Sequence, residues 1–141
     1  MTRWLNGLQP WGVVLLRLVL AAAMLYNGWG KVFPAGGFHG HMSMAGVDHF
    51  CRYVVTLGLP YWLGYASVFA EVIGGLGMLV GLFVRFFALL IAGNMLFAIL
   101  FVTGRHGYAA SEYPIALLAI AIMLLLTGPG RMALDRRMGL I

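Results

Sequence analysis

Long apolar stretches separated by polar breaks dominate the pattern of this chain. A helix needs about 20 mostly apolar residues to cross a membrane, and each stretch approaches that length. The pattern predicts four spans, at residues 12–33, 60–83, 85–103 and 112–127. Only a tight connection fits between the second span and the third, so these two are expected to be antiparallel neighbours.

The break between the first two spans is longer and rich in glycine and histidine. Its second half, residues 47–57, has the spacing of a short amphipathic helix that lies on the membrane surface. The apolar face of this helix would contain Phe50, Tyr53, Val54 and Leu57. The segment 104–111 is predicted to be a loop, and Gly128-Pro129-Gly130 is predicted to end the last span.

Composition supports a membrane protein. The 141 residues are 62% hydrophobic and 9% charged. A soluble fold of this size has too little interior to bury so much apolar surface. We therefore predict an all-α fold with a single domain, residues 1–141, built as a bundle of four transmembrane helices. The first span is expected to stay uncleaved, because no small-residue cleavage site follows it before Lys31.

The distribution of charge predicts the orientation. The net charge is +5, but the basic residues are scattered, which argues against nucleic-acid binding. One side of the bundle would have six basic residues, namely Arg3, Arg17, Arg85, Arg131, Arg136 and Arg137. The other side would have three, namely Lys31, Arg52 and Arg105. This asymmetry predicts a multi-pass protein of the bacterial inner membrane with both ends in the cytoplasm.

Metal and thiol chemistry receive little support. Cys51 is the only cysteine, so no intramolecular disulfide, CxxC pair or thiolate cluster can form, and a role as a small apolar filler is favoured. The outer loop contains His39, His41 and His49, but two imidazoles without a fixed third ligand do not define a metal site. We predict no metal site.

Glu71 is the clearest candidate for buried chemistry. It lies about 16 Å along the helix from Pro60, near the middle of the membrane. Its helix face is small and polar, so the carboxylate is expected to point into the bundle. Asn94 on the third span and Arg17 on the first are the candidate partners. The network could be a structural ion pair that fixes packing, or a site that handles protons or quinone.

A second group of polar residues is expected at the outer rim. It consists of Lys31, His106 and Glu112, with Asn27 one turn below Lys31. This rim could hold the polar head of a quinone, whose carbonyl oxygens would meet Lys31 or His106. The alternative is interfacial snorkelling without ligand binding. The combined candidate site is therefore Lys31, Glu71, Asn94, His106 and Glu112, supported by Arg17 and Asn27.

One further motif concerns packing. Gly77 and Gly81 form a GxxxG pattern, which allows two helices to approach closely. Packing within the bundle is favoured over a dimer contact.

With these residues in view, the chain closely resembles the DoxX family of small four-helix membrane proteins. The resembling segments are Leu25–Phe33, Ala70–Gly75, Leu82–Arg85, Asn94-Met95, His106–Tyr108, Glu112-Tyr113 and Gly128–Asp135. They occur in the family's order and spacing over nearly the whole chain. Two positions depart from the family pattern: Asn27 stands where histidine is frequent, and Ala133 replaces a serine.

The resemblance implies quinone-linked redox work, because relatives include subunits of thiosulfate:quinone oxidoreductase and of quinol oxidase systems. Our first hypothesis is a membrane subunit of, or accessory to, such a system, with a noncovalently bound quinone and a redox partner protein in the bilayer. The second is an assembly or interaction protein with a structural polar network. Small-solute transport is third, and a homo-oligomer would suit it. No residue pattern defines an enzyme that is catalytic alone.

Overall fold

The computed structural model describes residues 2–33 and 44–139 and shows an all-helical chain without strands in these ranges. The helices are α1 (Thr2–Val32), α2 (Met44–Thr56), α3 (Trp62–Val80), α4 (Val84–Phe97), α5 (Tyr108–Thr127) and α6 (Leu134–Arg137). A π-helix at Ala98–Thr103 and a 3₁₀ turn at Gly104–His106 continue α4. Within the described residues, four helices are long and apolar enough to cross a membrane.

The four spans form a ring in which each helix packs against two others. α1 packs on α3, α3 on α4, α4 on α5, and α5 again on α1. The core between them is apolar, and its fully buried side chains include Leu20, Met24, Met78, Ile91 and Leu124. The predicted bundle of four transmembrane helices is therefore confirmed. The cytoplasmic location of both ends stays a prediction.

Two helices begin before the spans that were predicted in them. α1 begins at Thr2, ahead of the predicted span start at residue 12, and contains Pro10. α5 begins at Tyr108 rather than at residue 112, and the predicted loop at 104–111 is mostly helical. Gly107 is the only residue between the 3₁₀ turn and α5. Its φ is 91°, a backbone angle that glycine adopts without strain.

The short amphipathic helix is confirmed and is slightly longer than predicted. α2 packs mainly against the first half of α3. The predicted apolar face is only partly correct: Val54 is buried, whereas Tyr53 is 43% exposed, and Val47 and Cys51 take the other buried positions. A Cβ atom at Gly64 of α3 would lie 2.8 Å from Cα of Cys51, so glycine is needed there for the two helices to touch. Cys51 thus fills the contact, as the sequence suggested.

The GxxxG glycines pack within the chain. A Cβ atom at Gly77 would collide with the ring of Phe87 on α4. A Cβ atom at Gly81 would lie 2.7 Å from Nη1 of Arg17 and 2.9 Å from Cα of Ala133. Both positions therefore serve internal contacts, which agrees with the favoured alternative.

Candidate functional site

The core of the site is an ion pair between α1 and α3. Nζ of Lys31 lies 2.7 Å from Oε1 and 2.7 Å from Oε2 of Glu71. The hydrogen bond goes to Oε1, whereas Oε2 is buried and accepts none of good geometry. The side chain of Lys31 is 22% exposed and that of Glu71 only 4%. The two partners of this pair therefore differ in their access to solvent.

Lys31 and Glu71 can form this pair because α1 and α3 approach each other closely. Gly28 of α1 lies against α3, where a Cβ atom would be 2.7 Å from Cγ2 of Val72 and 3.1 Å from Cβ of Glu71. Lys31 follows three residues later on the same face of the helix, so its ammonium reaches the carboxylate. The ammonium also lies 3.9 Å from the ring centroid of Phe50 on α2, in a cation–π contact.

Asn94 joins the pair from α4. Its Nδ2 donates a hydrogen bond of 3.1 Å to Oε1 of Glu71, so this oxygen accepts from two side chains. The expected inward orientation of Glu71 and its contact with Asn94 are both present. Lys31 was expected at a separate rim, and the structure shows instead that it belongs to the centre formed by Glu71 and Asn94.

A cavity of about 400 Å³ opens beside this centre. It lies between α3 and α4, beneath α2, and its volume is in the range of small-molecule sites. Its polar lining is confined to Lys31, Tyr53, Ser67, Glu71 and Asn94. The apolar lining consists of Phe50, Val54, Leu57, Leu59, Leu63, Ala66, Ala70, Leu89, Leu90, Gly93, Met95, Phe97, Ala98, Phe101 and Val102.

The cavity opens on the outer surface of the bundle. Leu89 and Phe97 line it and are 57% and 44% exposed. Both belong to α4, one of the helices that can cross a membrane. The opening therefore faces the hydrocarbon of a bilayer, and a molecule dissolved in the membrane could enter from the side.

An irregular turn of α4 shapes one wall. The π-helix at Ala98–Thr103 contributes three lining residues, and Oγ1 of Thr103 donates to the carbonyl oxygen of Ala98. Oγ of Ser111 on α5 then donates to Oγ1 of Thr103 at 3.0 Å. Such π-turns are rare and recur at functional sites. The apolar sequence of this segment does not signal it.

Four predicted members of the site lie elsewhere. His106 and Glu112 are exposed and do not line the cavity, because Gly107 turns the chain away there and the neighbours Ser111 and Pro114 take the buried positions. Asn27 donates to the hydroxyl of Tyr113 and so joins α1 to α5 outside the cavity. The fourth, Arg17, is described next. His39 and His41 lie outside the described residues.

The expected contact between Arg17 and Glu71 is not formed. Arg17 precedes Lys31 by 14 residues, about 21 Å along α1. Its Nη1 donates to the carbonyl oxygen of Pro129 at 2.8 Å, and Asp135 attracts its charge. Arg17 therefore belongs to a second buried polar cluster at the end of the bundle that holds the chain termini.

Asp135 is the residue of this cluster that sequence reasoning missed. Its carboxylate accepts hydrogen bonds from the backbone N–H groups of Phe83 (2.7 Å) and Val84 (2.9 Å). It thereby caps the N-terminus of α4, where helix amides otherwise lack partners. The backbone N–H of Asp135 also donates to the carbonyl oxygen of Gly81. The signal for this role was the resemblance of residues 128–135 to the family's ending.

At the opposite end, a polar contact holds α2 over the cavity. The hydroxyl of Tyr61 donates to Asp48, and Nε of Arg52 donates to the same carboxylate at 2.8 Å. The bond from Tyr61 is the main reason that the pKa of Asp48 lies below its ordinary value. This contact is at full strength at neutral pH, and it weakens as the pH falls through the lowered pKa of Asp48.

Replacing Tyr61 with phenylalanine is expected to loosen α2, because Asp48 then keeps only its bond to Arg52. The measurement is the rate at which Cys51, the only thiol in the chain, reacts with a maleimide. We expect a several-fold faster reaction, since the thiol is buried between α2 and α3. Tyr26→Phe is the control, because Tyr26 is 82% exposed. An unchanged rate in Tyr61→Phe would show that this contact does not hold α2.

No group of three His, Cys, Asp or Glu side chains that could hold a metal ion occurs in the described ranges 2–33 and 44–139. What the site contains is a shielded cation, a shielded anion and an amide at the inner end of an apolar cavity. This arrangement can hydrogen-bond a neutral head group whose remainder is apolar.

Comparison with known proteins identifies the family. The family model of DoxX matches residues 12–104. The chain is 30% identical to "Inner membrane protein YqjF" of Escherichia coli (strain K12) over 136 residues, which cover 94% of this chain and 95% of that one. It is 31% identical to "Putative oxidoreductase CatD" of Bacillus subtilis (strain 168) over 98 residues, 69% of this chain and 73% of that protein. No solved structure is significantly similar to the chain. This multi-pass membrane protein therefore belongs to the DoxX family.

Proposed function

We propose that the protein binds the head group of a quinone in the cavity between α3 and α4. In this role it is a membrane subunit of, or accessory to, a quinone-linked oxidoreductase system in the bacterial inner membrane. The observation that carries the proposal is the position of the Lys31–Glu71 pair at the inner end of a cavity that opens toward lipid.

The chemistry of the cavity suits such a ligand. A quinone has a ring with two carbonyl oxygens and an apolar tail. Lys31 and Asn94 have N–H groups that can donate to a carbonyl oxygen, and the lining of α3 and α4 accommodates the ring and the tail. A bound quinone would supply the capacity to accept two electrons and two protons. The residues of this chain would bind and orient it and exclude water.

The relatives agree with this assignment at a coarse level. One is named an inner membrane protein and another a putative oxidoreductase. Because Cys51 is the only cysteine, this sequence cannot build a cysteine cluster for electron transfer. Electrons would therefore pass between the quinone and a partner protein. A homo-oligomer stays a prediction.

Binding of a short-chain quinone tests the proposal. Protein purified in mild detergent would be titrated with decylubiquinone and studied by native mass spectrometry. Asn94→Leu is expected to weaken binding about tenfold, because one hydrogen bond from this half-buried amide is worth about 1.4 kcal/mol. Asn27→Leu is the matched control, since Asn27 lies outside the cavity. Absence of binding in the natural protein would contradict the proposal.

The alternative is an assembly protein in which the polar network only fixes helix packing. The second buried cluster, at Arg17 and Asp135, favours it, because both side chains bind backbone groups of other segments and so use buried charge to hold the fold together. In this case Glu71→Gln would reduce folding yield without a separable loss of quinone binding.

A further inference from the structure

The charged centre of the ligand site is also part of a second cavity. This cavity, of about 370 Å³, lies between the end of α1 and the start of α2. Lys31, Phe50 and Tyr53 line both cavities, and Gly30 and the exposed His49 line the second one only. Lys31 is therefore part of the wall that separates the lipid-facing cavity from one at the outer end of the bundle.

The opposite direction is closed by apolar side chains. Between Glu71 and the terminal cluster at Arg17, the interior contains Leu20, Met24, Met78 and Ile91, each 0% exposed. Water in such a layer would lack the two to four polar partners that a buried water needs. The described interior thus provides no polar route from Glu71 to the end that holds the termini.

Among the groups around Glu71, the ammonium of Lys31 is the one that links the carboxylate to the second cavity. Glu71 approaches it from α3, with Asn94 of α4 bound to the same carboxylate. On the α2 side, the ammonium of Lys31 contacts the ring of Phe50, and His49 and Tyr53 line the second cavity. The other charged groups of α2, Asp48 and Arg52, pair with each other at 2.8 Å. A proton that leaves or reaches Glu71 therefore has Lys31 as its nearest titratable neighbour.

We propose that Lys31 exchanges protons between the ligand site and the aqueous phase at the α2 face, and with that face alone. In the inward step, the ammonium gives one proton to an oxygen in the first cavity and becomes a neutral amine. That oxygen belongs to the Glu71 carboxylate or, once the partner protein has supplied electrons to the ligand, to the ligand. The lone pair of the amine then takes a proton from hydronium in the second cavity, which leaves water, or from water, which leaves hydroxide in the aqueous phase. The part that concerns the ligand depends on the proposed function.

The sequence offers a direct test, because Lys31 is its only lysine. Sulfo-N-hydroxysuccinimidyl acetate does not cross membranes and acetylates neutral amines. It would be applied to spheroplasts and to inverted vesicles, and acetylation of Lys31 measured by mass spectrometry of its peptide. Two variants mark the faces: Arg52→Lys adds an exposed amine on α2, and Arg131→Lys adds one at the end with the termini.

We expect Lys31 to react only in the preparation in which the lysine introduced by Arg52→Lys also reacts. Reaction from the face of Arg131→Lys, or from neither face, would overturn the inference. A second measurement tests whether a ligand in the first cavity affects the reactivity of Lys31 toward reagent in the second cavity. Decylubiquinone should slow acetylation of Lys31 at least threefold, because a ligand oxygen that is hydrogen-bonded to Nζ shields this nitrogen from the reagent, while the lysine of Arg52→Lys reacts at an unchanged rate.

The outcomes separate this inference from the proposed function. If decylubiquinone does not bind, the proposed function fails, whereas one-sided acetylation still supports water access at the α2 face. If decylubiquinone binds and leaves the rate for Lys31 unchanged, the inference fails and the quinone site stands.

Discussion

Lys31→Met is expected to destabilise the protein by about 3–5 kcal/mol, the range found when one member of a buried ion pair is removed. The variant leaves the carboxylate of Glu71 buried with only the amide of Asn94 beside it. Glu71→Gln should cost less, because the remaining ammonium is partly exposed and can be hydrated from the second cavity. This asymmetry follows from the unequal burial of the two partners.

The measurement is the free energy of unfolding in detergent, followed by tryptophan fluorescence during denaturation. Lys31→Arg is the matched control that keeps the charge. The double variant Lys31→Met with Glu71→Gln should recover most of the loss, because no unpaired charge remains. Equal losses in the two single variants would contradict the idea that Glu71 is the more shielded partner.

Asp135→Ala is expected to destabilise the protein by about 3 kcal/mol. Two backbone N–H groups at the start of α4 would lose a charged acceptor, at roughly 1.5 kcal/mol for each bond. Arg17 would also lose the anion that compensates its buried charge. The damage should extend across the α3–α4 turn, because Asp135 holds Phe83 and Val84 together with Gly81.

Hydrogen exchange at the amides of residues 83 and 84, together with the unfolding free energy, would measure this effect. Asp135→Asn keeps one acceptor oxygen, so about half of the loss is expected. Arg136→Ala serves as the control on the same short helix, since Arg136 is exposed. Slow exchange at Val84 in Asp135→Ala would show that another group caps α4.

Hydrophobic patterning was sufficient for the spans and for the position of Glu71, because both depend on residues that are neighbours along a helix. The four apolar stretches, the amphipathic α2 and the inward carboxylate all follow from local spacing. The Glu71–Asn94 contact also followed from counting residues from each end of two antiparallel helices. These inferences needed no knowledge of side-chain geometry.

Interactions between distant segments could not be obtained in this way. Lys31 looked like a rim residue because it ends its span, yet α1 ends deeper than the start of α3 and α2 covers the remaining space. The approach at Gly28, which joins the two groups, depends on how α1 and α3 pack. Arg17 was assigned the wrong partner for the same reason: the tail that binds it lies 112 residues away in the chain.

The cap on α4 has a consequence for biosynthesis. Asp135 is translated 51 residues after Val84, so the α3–α4 hairpin leaves the ribosome before its own acceptor exists. Until then, two backbone amides at the membrane surface depend on water or lipid head groups. A nascent chain interrupted before residue 135 would retain this defect, and proteases that survey membrane proteins would have a marker that distinguishes it from a finished one.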